Sequence, residues 1–271
     1  MDINKMSWDI ANVPEKLKGK FINTGDRILN DARPIDEKEK ASDDNGSEMS
    51  QERQESLEKY GQLKVPKKAD NPRGNIWYLP IIGHIEGHVT LPATNKTTKY
   101  EHVIPLLLNA AESREVDGLL VVLNTVGGDV EAGLAIAELI SNFSKPTVSL
   151  VLGGGHSIGV PLAVAAQYSF IAASAAMTVH PVRMSGTLVG AQQTYDYFNK
   201  MQERILDFIV LNSKIKKVRL NELMLDTEKL ALDVGSFLIG EEAVKENLIE
   251  RVGGLKDAME MLYSMIDKSK K

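Results

Sequence analysis

From Pro146 to Val182 the chain carries no Asp, Glu, Lys or Arg. In the middle of that uncharged stretch stands Gly153-Gly154-Gly155-His156-Ser157-Ile158-Gly159-Val160-Pro161. An apolar run from Val148 to Leu152 precedes it and a second, Pro161 to Ala166, follows. The pattern predicts a buried strand, a tight glycine turn and a helix. Ser157 then sits on a sharp bend with its hydroxyl projected out of the sheet. Backbone N–H groups at the start of the helix point the same way and can stabilise an oxyanion. The arrangement suits acyl transfer. The apolar pieces are too short for a membrane span, which needs about 20 consecutive residues, so the stretch is expected to form the buried centre of an α/β domain.

The flanking sequence supports that fold class. Ile76 to Ile82 is strand-like, Val103 to Ala111 has helical spacing, and Gly118 to Asn124 is a continuous apolar run of buried-strand length. Gly127-Gly128, a helix from Val130 to Phe143, a stop at Pro146 and a strand from Thr147 complete a βαβα order, which implies a parallel sheet with helices on its faces. Further on, Thr187 to Ser213 predicts a long amphipathic helix and Val218 to Met224 a shorter one. A short helix after Gly240, a strand at Leu248 to Val252 and a terminal helix at Leu255 to Asp267 follow. The expected organisation is an arm over 1–75, a main domain over 76–253, and a helix with its tail over 254–271. Nearly half of the positions from Asp31 to Arg73 are charged, of both signs, which leaves too little apolar surface for a core. That arm is expected to be disordered or a solvated helix, with partner docking as the second possibility.

Composition removes several chemistries. There is no cysteine, so disulfides and thiolate chemistry are excluded. A net charge of −5 with no basic stripe gives no footprint for nucleic acid. Met1 to Met6 lacks the apolar core of a signal peptide, so a cytoplasmic location is expected.

A nucleophilic serine needs a base, and the chain has five histidines: His84, His88, His102, His156 and His180. His156 adjoins Ser157, so its side chain is expected to point away. His84-Ile85-Glu86-Gly87-His88 lacks the spacing of a helical zinc site, and no metal or cofactor is expected. His102 is expected in a polar, solvated loop. His180 ends the strand-like run Ala175 to Val179 and precedes Pro181, which favours an extended backbone. A histidine there can take the Ser157 proton and return it to a leaving amine. An α/β-hydrolase triad, ordered serine, acid, histidine, is excluded, because no Asp or Glu lies between Ser157 and His180 and no histidine lies beyond. The acid must follow His180. Asp196 and Asp207 fall on the long helix and read as surface charges; Asp257 is a further candidate. Asp233, with Asp226 as the alternative, flanks the loop that returns towards the sheet, where either could equally serve as a cap.

These residues resemble the Clp protease proteolytic subunit family, serine peptidases on a crotonase-like spiral of βαβ units. The likeness runs from about Ile76 to Val252. It is carried by Ser157-Ile158-Gly159, by Asn124-Thr125-Val126-Gly127-Gly128 with Gly128 29 positions before Ser157, by Met177-Thr178-Val179-His180, and by Phe237 to Ala243. The resemblance implies an oxyanion hole from the N–H groups of Gly128 and Ile158. It also implies a peptide substrate paired as an added strand with Gly127, Gly128, Asp129 and Val130 on one side and Met184, Ser185, Gly186 and Thr187 on the other. It further implies a homo-oligomeric ring, a heptamer or stacked rings, with the long helix as subunit contact, and a partner ATPase or export machinery. The family aspartate would stand two residues before Phe237, where this chain has Gly235, and Val126 replaces the usual proline. The charged arm and the Gly-His-Ser-Ile-Gly-Val-Pro-Leu string resemble the translocation-enhancing branch of the family, associated with preprotein export and cytosolic signal-peptide cleavage. Two rivals use the same scaffold: a crotonase-type acyl-CoA enzyme, and a non-catalytic export or assembly factor.

Overall fold

A computed structural model of the chain describes residues 72–183, 190–227 and 234–270. The elements are β1 (Ile76–Glu86), β2 (Thr97–Lys99), α1 (Tyr100–Glu112), β3 (Gly118–Gly128), α2 (Val130–Ser141), β4 (Thr147–Gly155), α3 (Gly159–Val164), β5 (Tyr168–Ile171), β6 (Ala176–Val179), α4 (Ala191–Leu211), α5 (Lys217–Met224), β7 (Ser236–Ile239), α6 (Glu241–Lys245), β8 (Arg251–Val252) and α7 (Leu255–Ser269). The main sheet runs β2-β1-β3-β4-β5-β8, parallel throughout. This is the α/β architecture of βαβ units expected from the sequence. Residues 1–71 of the expected N-terminal arm lie outside the described residues, and at its end the Asn75 N–H donates to the Asp117 carboxylate at 2.7 Å.

The unbroken apolar runs of β1, β3 and β4 follow from burial on both faces. Leu79, Ile81, Leu119, Val121 and Leu123 belong to a large core that also takes Ile136 and Ile140 of α2 and Leu162 of α3. The alternate residues Leu120, Val148 and Leu150, joined by Phe170, form a second core against Ala258, Leu262 and Ile266. Those last three recur every fourth position, one stripe of α7. Asp129 caps α2 by accepting from the Ala132 N–H at 2.8 Å, and Asp257 caps α7 by accepting from the Gly254 N–H at 2.9 Å.

Beyond Val151, strand β4 changes neighbours. Val148 to Val151 pair with β5, whereas Gly154 pairs with Ala176 of β6. β6 in turn pairs antiparallel with β7, Ala176 to Val179 against Ser236 to Ile239. A separate two-strand unit is thus attached at the carboxyl end of β4, beside the serine turn.

Several expected boundaries move. The strand expected at Leu248 to Val252 shrinks to Arg251–Val252, because the N–H groups of Leu248 and Ile249 are spent on the Ala243 carbonyl, closing α6. His102 lies not in a loop but in the first turn of α1, half-buried, since the buried stripe Val103, Leu107, Ala110 carries the helix back to Tyr100. The long helix begins at Ala191, and residues 187–189 of its expected start lie outside the described residues. No helix among the described residues is long and apolar enough to cross a membrane.

Candidate active site

Ser157 has φ +58°, left-handed backbone that a non-glycine residue adopts only under constraint. Three bonds fix the turn around it: Ser157 N–H donates to Thr178 O at 2.9 Å, Gly159 N–H to His156 O at 2.8 Å, and Val160 N–H to Ser157 O at 2.9 Å. The sequence pattern of strand, sharp turn and helix is the one observed, with α3 starting at Gly159.

The glycine-rich end of β3 lies directly against this turn. Gly127, at φ +90°, packs so close that a Cβ there would lie 2.6 Å from the Ser157 Cβ. Gly133 of α2 leaves equally little room: a Cβ there would be 2.4 Å from the Ile158 Cγ1. Thr125, 1 % exposed, is the organiser that motif reasoning missed. Its hydroxyl donates to Gly83 O at 2.7 Å and accepts from Gly127 N–H at 3.0 Å, while its carbonyl accepts from His156 N–H at 3.2 Å. One buried threonine therefore links β1, the glycine pair and the serine turn. Its signal was visible only as a polar residue inside an apolar strand.

His180 follows β6 and shares one cleft with Ser157. The cleft, about 150 Å³, is lined by Gly128, Val130, Ser157, Ile158, Val160, Val179, His180, Pro181, Val182, Arg183, Ile205, Ile209 and Met224. His180 Nδ1 lies 2.7 Å from the Pro181 carbonyl oxygen. A carbonyl only accepts, so Nδ1 carries the hydrogen and Nε2 of the neutral ring is left as the basic nitrogen. The segment after His180 is tied to α4 by Val182 N–H donating to Gln202 Oε1 at 3.3 Å. Nearby, Arg204 of α4 makes a two-pronged pair with Glu131 in the first turn of α2, 2.7 and 3.1 Å. That pairing holds the Glu131 carboxyl below its ordinary range and raises Arg204.

Gly235 lies against His180. At φ +135° it is strained for any side chain, and a Cβ would fall 2.4 Å from Val179 O and 2.9 Å from the His180 Cβ. The location where a family aspartate is expected thus adjoins His180, but cannot hold a carboxylate in this backbone. Gly235 N–H donates to the Asp226 main-chain oxygen at 2.7 Å, which brings the Asp226 backbone to the same place. Asp233 lies outside the described residues, as do Met184, Ser185, Gly186 and Thr187. The other acids are engaged elsewhere: Asp196 with Gln192, Asp207 with Lys217, Asp257 at the cap of α7. Asp129, expected beside the substrate, spends its carboxylate on capping α2.

The remaining histidines separate from the cleft. His88 Nδ1 meets the Tyr100 hydroxyl at 3.1 Å, and His84 pairs in register with Thr97 on β1. Among the described residues no three His, Cys, Asp or Glu side chains gather as a metal set. His156 turns away from the cleft. Its Nδ1 is 2.8 Å from Thr178 Oγ1 and its ring stacks on Phe237, centroids 6.0 Å apart and planes at 18°. Burial lowers its pKa below the ordinary 6.5, and the nearby His180 lowers it further.

A parallel α/β scaffold with a strained serine at a strand end, backbone glycines pressed against it and a histidine across the cleft defines a ClpP-like protein. The chain belongs to the Clp protease family, which residues 79–256 match. Within that family it is similar to the translocation-enhancing protein TepA of Halalkalibacterium halodurans. The two are 52 % identical over 214 residues, covering 79 % of this chain and 82 % of that protein.

Proposed function

We propose that the chain is a serine peptidase that cuts unstructured peptides through an acyl-enzyme. The observation that carries this is the sharing of one cleft by the strained Ser157 and by His180, whose ring is held with Nε2 as its basic nitrogen. Ser157 Oγ attacks the peptide carbonyl while His180 Nε2 takes its proton. The N–H groups of Gly128 and Ile158 receive the charge on the tetrahedral oxygen; each such donor is typically worth about 10²–10³ in rate. His180 then protonates the departing amine, and water repeats the sequence to release the acid. An extended substrate adds as a strand beside Gly127 to Val130 and Met184 to Thr187. The apolar lining from Val130, Ile158, Ile205, Ile209 and Met224 favours an apolar side chain next to the cut bond.

The orienting group for His180 includes the Pro181 carbonyl, and a carboxylate from Asp226 or Asp233 supplements it. The name of the similar protein concerns translocation. We extend that to this chain as a preference for preprotein segments or signal peptides in the cytoplasm. Assembly as a ring of copies, and docking of an ATPase or an export component, complete the proposal. A second reading, a non-catalytic export factor, is favoured by one observation: Gly235 stands where the family aspartate is expected. The two part on hydrolysis of an unstructured peptide by the purified chain. Turnover that disappears in Ser157→Ala supports the peptidase, and no turnover in the unaltered chain supports the factor.

A further inference from the structure

We propose that His156 is a positioning residue, whose ring ties the nucleophile turn to the strand that carries the base. The proposal rests on the peptidase reading of Ser157 and His180. His156 is not among the residues that line the cleft. What it touches is the attachment between the two halves of the site.

The backbone part of that attachment is thin, although Met177 and Val179 of β6 are buried in the same core as Val151 of β4. β6 joins β4 through the single registered pair Gly154 and Ala176, against four registered pairs between β4 and β5. Beyond that pair, the Ser157 N–H reaches Thr178 O at 2.9 Å, and the His156 ring reaches Thr178 Oγ1 at 2.8 Å. Thr178 is therefore gripped by two consecutive residues of the turn, one through the backbone and one through the side chain. His180 is two residues further along the same chain. Any slide or roll of β6 is passed on to its imidazole.

An imidazole suits this place for two reasons. Its edge satisfies the Thr178 hydroxyl, and its face covers Phe237, the residue paired with Thr178 across β6 and β7. Gly154 makes the room: a Cβ there would lie 2.7 Å from both Cδ2 and Nε2 of the ring. His156 thus joins β4, β6 and β7 at the point where the sheet changes partners. A misplacement of about 1 Å between reacting groups costs on the order of 10²-fold in rate, so a tie at this point has a kinetic effect without touching the chemistry.

The test uses the full chain with an unstructured fluorogenic peptide and a fluorophosphonate probe. His156→Ala is expected to lower kcat about 10–100-fold with KM within about twofold. His156→Asn, whose amide can still meet Thr178, is expected to recover most of that loss. Thr178→Val, nearly isosteric, is expected to lower kcat alike, and His156→Ala with Thr178→Val to do no worse than the more damaged single variant. Wild-type kcat in Thr178→Val or His156→Ala, equal damage from Asn and Ala, or losses that multiply in the double variant each overturn the role. If His156→Ala does not fold, the Asn and Val variants decide. A wild-type chain that neither labels nor hydrolyses ends the peptidase reading and this role with it. Normal wild-type labelling with an unaffected His156→Ala ends the role alone.

Discussion

The two halves of the cleft are built by different means. The serine half is set by close backbone packing: Gly127 against Ser157, Gly133 against Ile158, and buried Thr125 bonding to Gly83, Gly127 and His156. It lies at the end of a parallel sheet buried on both faces. The histidine half hangs on the short antiparallel pair β6 and β7, fixed to the first half at Gly154, Ser157 and His156. Close-packed interiors are stiff, and Met177, Val179 and Leu238 seat the side chains of β6 and β7 in the same core; the backbone of that pair, however, is held to the serine half by only a few bonds. In backbone bonding the serine side is therefore the rigid partner and the histidine side the adjustable one.

Substitutions can break that contrast from either side. The largest effect is expected from Ser157→Ala, which removes the nucleophile and should bring peptide turnover to background. Next comes Gly127→Ala on the rigid side. Its Cβ would fall 2.6 Å from the Ser157 Cβ, and displacing the turn should cost about 10²-fold or more in kcat/KM. On the adjustable side, Asp226→Asn and Asp233→Asn are compared by turnover. The one that lowers it about 10²-fold or more orients His180; if neither does, the Pro181 carbonyl suffices and the site works as a dyad.

Gly235→Ala probes the join directly. The strained φ and the 2.4 Å approach to Val179 O predict a loss of about 1–3 kcal/mol in stability, read by denaturant unfolding. Because the same Cβ presses on His180, kcat should fall more than KM rises. The smallest effect is in pH. The His156 pKa is depressed in the fold by burial and by His180, so the unfolded chain binds the proton first as pH drops. Stability is full above about 6.5 and declines as pH falls below it towards the depressed value. His156→Asn should flatten that part of the melting-temperature profile.

Much of the rigid half was legible in the sequence. Gly153 to Pro161 announces its turn, and the parallel strands announce themselves because burial on two faces writes continuous apolar runs. Chain order excluded a hydrolase triad, and on the other half the strand-like run ending before Pro181 pointed to His180. The adjustable half was far less legible. β7 is four residues long, too short for a period-two pattern to stand out. Asp129 and Asp257 are helix caps, and no spacing rule tells a capping aspartate from a catalytic one before the helix is placed. Gly235 looked like a missing acid. Its contact with His180 shows that the backbone there is shaped around the absence of a side chain. His156, set aside as a residue pointing away, does point away, onto the Thr178 hydroxyl of the other half.

The central claim is that Ser157 is a nucleophile activated by His180. Its most direct measurement is fluorophosphonate modification of the purified chain, located by mass spectrometry of the digest. One adduct on the peptide containing Ser157 is predicted, absent in Ser157→Ala and at least about 10²-fold slower to form in His180→Ala. No adduct in the unaltered chain, or an adduct whose rate ignores the loss of His180, would contradict the account.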